Sequence, residues 1–397
     1  MAPQTLAQLP VRPASHYMGE CPKFSKPKEV ACFSRDSDRK IHFDQRALRQ
    51  YVAPQLPARL DVGFESYVPK QKGAEPAPLA DVFSALSAQQ QSTDGCIVTY
   101  RNNLNKLMLT PYSRRDDWEI GVSRQPGGGL TLQVRETARK MADEARRSER
   151  EQRMAYWGYK FEALATTPRE NGRANGETRK RTTDEPSEDR FRVPSPCDPD
   201  SYRHLYPPNQ FELLQSLHGE EAERQRAINP TGTTSHAPAA EVVDANEEFC
   251  AIMRLKLAGL VLIMAAECDC QENARGGERQ YVELKTSKLL REQRDRASFE
   301  KHKLLKFWLQ SFLAGVPKIV VGFRDDAGVV HQLQAIETLA IPRMVRAQGH
   351  WDPSVCLNFG REVLTWLLQQ VATRGEDERL VLRYEPSQEL LLLMTEG

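Results

Sequence analysis

The segments Ala265-Ala266-Glu267-Cys268-Asp269-Cys270 and Tyr281-Val282-Glu283-Leu284-Lys285-Thr286-Ser287-Lys288 place charged groups two residues apart inside apolar, strand-like runs. Side chains at i and i+2 of a strand point to the same side. The spacing therefore predicts that Glu267 shares a pocket with Asp269, and Glu283 with Lys285. Three carboxylates gathered around one lysine carry excess negative charge, which is costly to bury unless a cation offsets it. Oxygen donors of this kind suit a hard divalent cation such as Mg²⁺. A divalent cation beside a lysine is an arrangement that cleaves phosphodiesters.

The chain has 397 residues, of which 40% are apolar, enough for a sizeable core. Its net charge is +1, so any contact with nucleic acid must come from a local patch. The eight cysteines, at 21, 32, 96, 197, 250, 268, 270 and 356, form no Cys-x-x-Cys pair and no Cys/His zinc pattern. Reduced thiols in an intracellular protein are expected. The first residues show no charged segment followed by an apolar one, so no secretory signal is expected. The longest apolar run, Leu257 to Ala266, is too short to span a bilayer and reads as one buried strand, so no membrane association is expected.

The pattern of elements predicts a mixed α/β (α+β) fold. It consists of a single large domain with central mixed and antiparallel sheets flanked by helices. Residues 1–26 read as an irregular N-terminal arm and 27–397 as the domain, with disordered insertions near 166–196 and 224–240. Between the insertions, Tyr202 to Leu217 reads as a satellite helix. Glu29 to Ser34 is a short strand, and Cys96 to Tyr112 reads as a pair of strands around an Asn-rich bend. Trp118 to Val122 and Leu130 to Val134 form a hairpin. Glu136 to Ala165 is helical in composition. Ala297 to Leu313 is an amphipathic helix stopped by Gly315 and Pro317. Lys318 to Arg324 and Val329 to Leu339 form a second hairpin. Asp352-Pro353 caps a last helix, and two terminal strands follow.

Three further positions stand out. Glu162 ends an aromatic run at Tyr156, Trp157, Tyr159 and Phe161; on sequence alone it reads as an exposed glutamate beside a core stripe. Lys303, Lys306 and Gln310 form a second stripe on the helix 297–313, which suits either a phosphate backbone or a solvated face. Arg101, ahead of Asn102-Asn103, offers a planar fork to a phosphate or serves as a surface charge.

Asp269 and Glu283-x-Lys285, separated by 13 residues, resemble the PD-(D/E)XK nuclease pattern. The loop between them contains Gly276-Gly277 and brings the two halves together at small entropic cost. More specific is a set of ordered segments. These are Thr99-Tyr100-Arg101, Gly158-Tyr159-Lys160-Phe161-Glu162, Asn246-Glu247-Glu248-Phe249-Cys250, Glu267-Cys268-Asp269, Tyr281 to Lys288, His302 to Leu313 and Trp351 to Phe359. In this order they resemble the DXO-type decapping nuclease family, which includes the partner protein of the nuclear 5′-to-3′ exoribonuclease. The likeness runs from about residue 28 to about 390, outside the two insertions.

The resemblance implies that Glu162, Glu267, Asp269 and Glu283, with the carbonyl of Leu284, hold divalent cations, Mg²⁺ or Mn²⁺. It implies that Lys285 and Gln310 hold the scissile phosphate or the attacking water, that Arg101 binds RNA phosphates, and that Cys250 lines the site near the 5′ nucleotide. The activity implied is hydrolysis at single-stranded RNA 5′ ends. Pyrophosphate leaves 5′-triphosphate RNA, and incomplete or NAD caps are released. The 5′-monophosphate RNA produced passes to a nuclear 5′-to-3′ exoribonuclease, which the protein partners in the nucleus; the alternative is an autonomous 5′-to-3′ exoribonuclease. The partner surface is expected near 190–215, and Arg179-Lys180-Arg181 would serve as a nuclear signal.

Overall fold

A computed structural model describes residues 3–71, 79–169, 242–273 and 279–396. The apolar runs build two sheets. The larger has ten strands in the order Thr5–Pro10, Leu390–Thr395, Leu380–Glu385, Trp118–Arg124, Leu130–Arg135, Ile97–Tyr100, Leu260–Glu267, Glu248–Leu257, Lys28–Arg35 and Ile41–His42. Ile97–Tyr100 runs parallel to both neighbours and the other pairs are antiparallel. The smaller has seven strands in the order Ala58–Arg59, Val329–Glu337, Lys318–Arg324, Arg279–Lys288, Cys270–Asn273, Gln50–Tyr51 and Thr166–Thr167. The expected mixed α/β architecture is the one observed.

Side-chain alternation splits each sheet between two cores. Ile97, Met264 and Phe249 of the large sheet and Ile319, Val321 and Phe323 of the small one share the main core. The helices Arg101–Leu109, Leu305–Ala314 and Pro353–Val371 fill it, with Leu107, Trp308 and Val363 fully buried. On the outer face of the large sheet, Val98, Ile252 and Ile263 meet the helix Ala80–Ala88. On the outer face of the small sheet, Val282, Leu284 and Val320 meet Trp157 and Phe161 of the helix Glu149–Leu164. The molecule is thus five layers, with helices between the two sheets and outside each.

Several local expectations are corrected. Residues 1–26 are not irregular throughout: Thr5–Pro10 pairs with Leu390–Thr395 at the sheet edge, where a proline is tolerated. Cys96 to Tyr112 is one strand and one helix, because Leu104, Leu107 and Met108 recur at helical spacing and are all buried. The run Leu257 to Ala266 is broken by a tight turn at Ala258-Gly259, both with positive φ, so it spans two antiparallel strands. Glu136 to Ala165 is two helices, Ala138–Ala145 and Glu149–Leu164; Ser148 and Glu151 form a capping box that restarts the second. Cys21 is disulfide-bonded. Cys32, Cys96, Cys250, Cys268, Cys270 and Cys356 are free thiols. The first insertion begins in described chain, where Thr166–Thr167 pairs with Gln50–Tyr51. The rest of it beyond residue 169, the segment 202–217, the insertion at 224–240, Arg179–Arg181 and the 190–215 surface lie outside the described residues.

One close approach ties a helix to the small sheet. A Cβ added at Gly322 would sit 2.6 Å from the Phe161 ring, next to Glu162. Overpacking of this kind costs about 1–3 kcal/mol. Gly322→Ala is therefore expected to lower the thermal midpoint by several degrees in calorimetry, and an unchanged midpoint would contradict this packing.

Candidate active site

The chain passes from one sheet to the other at the candidate site. Leu260–Glu267 ends in the large sheet, Cys268 and Asp269 bridge, and Cys270 opens a strand of the small sheet. Glu267 and Asp269 therefore do not sit on one strand, as their spacing predicts. They flank a crossover, with Glu267 at its outer end, directly opposite Cys250 on the neighbouring strand. Glu283, Leu284 and Lys285 lie on Arg279–Lys288, as expected.

Glu283 is the centre of the site and is only 1% exposed. Its carboxylate accepts from Gln310 Nε2 at 2.6 Å, from Lys285 Nζ, and from Arg101 Nη1 at 3.4 Å. Arg101 directly follows the strand Ile97–Tyr100, opens the helix Arg101–Leu109 and is buried. Its Nη2 donates to the Glu267 carbonyl at 3.0 Å. Asp269 accepts from the Leu284 backbone N–H at 2.6 Å, which fixes it beside the Glu283 strand. Lys303 donates to Ser287 at 3.1 Å and Lys306 is exposed, so of that stripe only Gln310 reaches the carboxylates.

The charges do not balance evenly. Burial opposes ionisation of Glu283, but Lys285 and Arg101 outweigh it and hold the carboxyl below its usual range. Asp269 is pushed up to about 7 by burial and then by Glu283. Burial and Asp269 raise Glu162 well above the usual range, with Glu267 and Glu283 adding to the effect and Lys285 opposing it. Glu162, on the last turn of its helix, thus feels all three other carboxylates, although nothing in the sequence pattern alone placed it there. Glu162, Glu267 and Asp269 line one cleft with Tyr159, Glu248 and Phe249.

Four carboxylates with the buried Arg101 and the half-buried Lys285 among them make a donor set that fits a hard divalent cation. Like charges this near repel, and no three His, Cys, Asp or Glu side chains among the described residues stand at ligating distance from one point. Cys268 and Cys270, on either side of Asp269, are buried thiols whose ionisation burial opposes, so they are poor ligands for such a cation.

Two residues of this neighbourhood had no candidate role in the sequence reading. Lys70 Nζ stands 2.5 Å from Glu248 and 3.4 Å from Glu267. Glu248 also pairs with Arg39 at 3.3 Å, and Arg35 stands 2.6 Å from it. Glu248 is two residues before Cys250, so strand periodicity alone puts both on the face that carries Glu267. Lys70 has no such signal; 197 residues separate it from Glu267.

The model of the RAI1-like PD-(D/E)XK nuclease family matches residues 25–190 and 209–396. The chain belongs to that family. It is accordingly a hydrolase, and nucleases of this family use divalent metal ions. The chain is 29% identical to the Aspergillus fumigatus protein named decapping nuclease RAI1, over 92% of this chain and 88% of that one. It is 30% identical to the human decapping and exoribonuclease protein, over 96% and 83%. Among solved structures, S. pombe Rai1 superposes with a TM-score of 0.70 at 24% identity, covering 98% and 99% of the two chains. Candida albicans Rai1, solved with pU5 and Mn²⁺, gives 0.68 at 21%, covering 94% and 90%. Among the described residues no helix is long and apolar enough to cross a membrane.

The raised carboxyls set a pH dependence. The folded chain keeps a proton on Asp269 up to about pH 7, whereas the unfolded chain releases it near the ordinary value of 3.8. Stability from this group is full below pH 4 and is lost as pH rises through 7. Glu162 acts in the same direction; Glu283, held low, titrates below that window. In chelator, denaturant titrations of the wild type are expected to lose stability between pH 5 and 8, and Asp269→Asn to lose less. Equal slopes would contradict the assignment.

Proposed function

We propose that this chain is a divalent-metal-dependent hydrolase of single-stranded RNA 5′ ends. It removes pyrophosphate from 5′-triphosphate RNA, releases unmethylated or NAD caps, and leaves 5′-monophosphate RNA. In the nucleus it works beside a 5′-to-3′ exoribonuclease that it stimulates and stabilises. The observation that carries the reading is the fully buried Glu283 carboxylate. It is gripped by Lys285, Gln310 and Arg101 and stands beside Glu162 and Asp269, whose carboxyls burial and neighbouring carboxylates push up despite Lys285. The names of the fungal and human relatives supply the RNA end and the decapping reaction.

Glu162, Glu267, Asp269 and Glu283, with the Leu284 carbonyl, would hold the cation, Mg²⁺ or Mn²⁺. When bound, such a cation lowers the pKa of a water and draws charge from the phosphoryl oxygens. Lys285 and Gln310, both anchored on Glu283, position the attacking water or the scissile phosphate. Lys285 also offsets charge that grows on the phosphoryl oxygens in the transition state. Arg101, at the floor of the site, binds a phosphate deeper in the pocket with donor capacity beyond its two observed bonds. Cys250, opposite Glu267 and buried, gives the 5′ nucleotide an apolar wall. Only an unpaired end reaches this depth, because the carboxylates lie at a junction between two sheets.

A second reading is an autonomous 5′-to-3′ exoribonuclease that also decaps, and the word exoribonuclease in the human relative's name favours it. Time courses on 5′-monophosphate RNA separate the two: a ladder of shortened products supports the second, and an intact RNA body supports the first.

With Mg²⁺ or Mn²⁺, the wild type is expected to release pyrophosphate from 5′-triphosphate RNA. Asp269→Ala and Glu283→Ala are expected to lose at least about a hundredfold in rate. Full activity in both variants, measured by product analysis across triphosphate-, unmethylated-cap- and NAD-ended RNAs, would overturn the proposal.

A further inference from the structure

Tyr159 is one helical turn before Glu162 and lines the same cleft. From it a ladder of rings leads away from the carboxylates. Tyr67 stacks on Tyr159 with centroids 6.4 Å apart and planes 25° from parallel. Phe64 stacks on Tyr67 at 6.1 Å and 22°. The Arg153 guanidinium lies over Phe64, 4.3 Å from its centroid, and closes the ladder. All three rings are half-buried, each with surface left to contact a ligand.

The ladder is rigidly supported. Tyr156, fully buried, meets Phe64 edge-on at 5.6 Å and Tyr67 at 4.9 Å, and its hydroxyl donates to the Val62 carbonyl at 2.7 Å. Gly63, with φ +92°, makes the turn that presents Phe64, and a Cβ there would meet the Tyr156 hydroxyl at 2.8 Å. Tyr156 is fully buried, and Phe64, Tyr67 and Tyr159 pack against its core cluster while each keeps part of its surface exposed. Arg153 is shared with Glu65 and Glu149, so stacking rather than net charge dominates this surface.

We propose that Tyr159, Tyr67 and Phe64 form a stacking platform for the first bases of the RNA downstream of the reacting 5′ end. The inference rests on the RNA 5′-end reading above. A row of near-parallel rings continuous with a phosphate-cleaving cleft suits unpaired bases, and stacking tolerates any base because each has a π-face. It would give the enzyme a preference for single strands several nucleotides long, without sequence selectivity.

The test compares a 5′-triphosphate dinucleotide, too short to reach Phe64, with a single-stranded decamer of mixed sequence. In Phe64→Ala/Tyr67→Ala the KM for the decamer is expected to rise about tenfold or more. Its kcat and the kinetics on the dinucleotide should stay near wild type, with a thermal midpoint confirming the fold. The indole fluorescence of Phe64→Trp is expected to be quenched by the decamer and not by a duplex of the same sequence. An unchanged decamer KM with no quenching overturns the platform, as does equal loss on both substrates. Loss of exoribonuclease binding with an unchanged decamer KM also overturns it and makes the surface a protein dock. Quenching by RNA in a protein inert toward every 5′ end sinks the functional reading and keeps the platform.

Discussion

The buried Glu283 carboxylate is the interaction on which the site depends. A carboxylate taken out of water is costly unless paired and hydrogen-bonded. Here the partners come from three places: Arg101 from the helix that follows a strand of the large sheet, Lys285 from the same strand of the small sheet, and Gln310 from a helix between the sheets. Removing one partner of such a pair costs about 3–5 kcal/mol. A surface pair such as Lys288–Asp326, with both side chains more than half exposed, is worth about 0–1 kcal/mol. The buried knot thus positions the two sheets and the chemistry at once.

Around that knot the charges are deliberately uneven. Glu283 is satisfied and held ionised. Glu162 and Asp269, half-buried, stand among like charges and are held toward protonation. This split explains why the cleft suits a divalent cation rather than a salt-bridge network: Lys285 and Arg101 are committed to Glu283, and Lys70 is shared between Glu248 and Glu267. The crossover at Cys268-Asp269 serves the same end. It carries Asp269 from the sheet of Glu267 to the sheet of Glu283, where the Leu284 N–H catches it.

Much of this was legible in the sequence. Glu283-x-Lys285 lies on a strand because the apolar alternation of Tyr281 to Lys288 leaves little else, and the hairpins and terminal helix follow from their turns and caps. The pairing of Glu267 with Asp269 was read for the wrong reason: period-two spacing assumed one strand, whereas the chain changes sheets between them. The helix that Arg101 opens is hidden in the sequence because Leu107-Met108-Leu109-Thr110 has strand-like composition, and only the burial of Leu104, Leu107 and Met108 reveals it. Glu162 and Lys70 are long-range members, brought in by tertiary packing; the first needed the family resemblance and the second left no trace in local pattern.

The central proposal is that Glu162, Glu267, Asp269 and Glu283 would gather around a divalent cation when it binds. Anomalous diffraction from a crystal soaked in Mn²⁺ tests it most directly. The account predicts a strong peak bounded by these carboxylates and the Leu284 carbonyl, absent in Asp269→Asn soaked alike. A peak elsewhere, or none in wild-type crystals at saturating Mn²⁺, would contradict it.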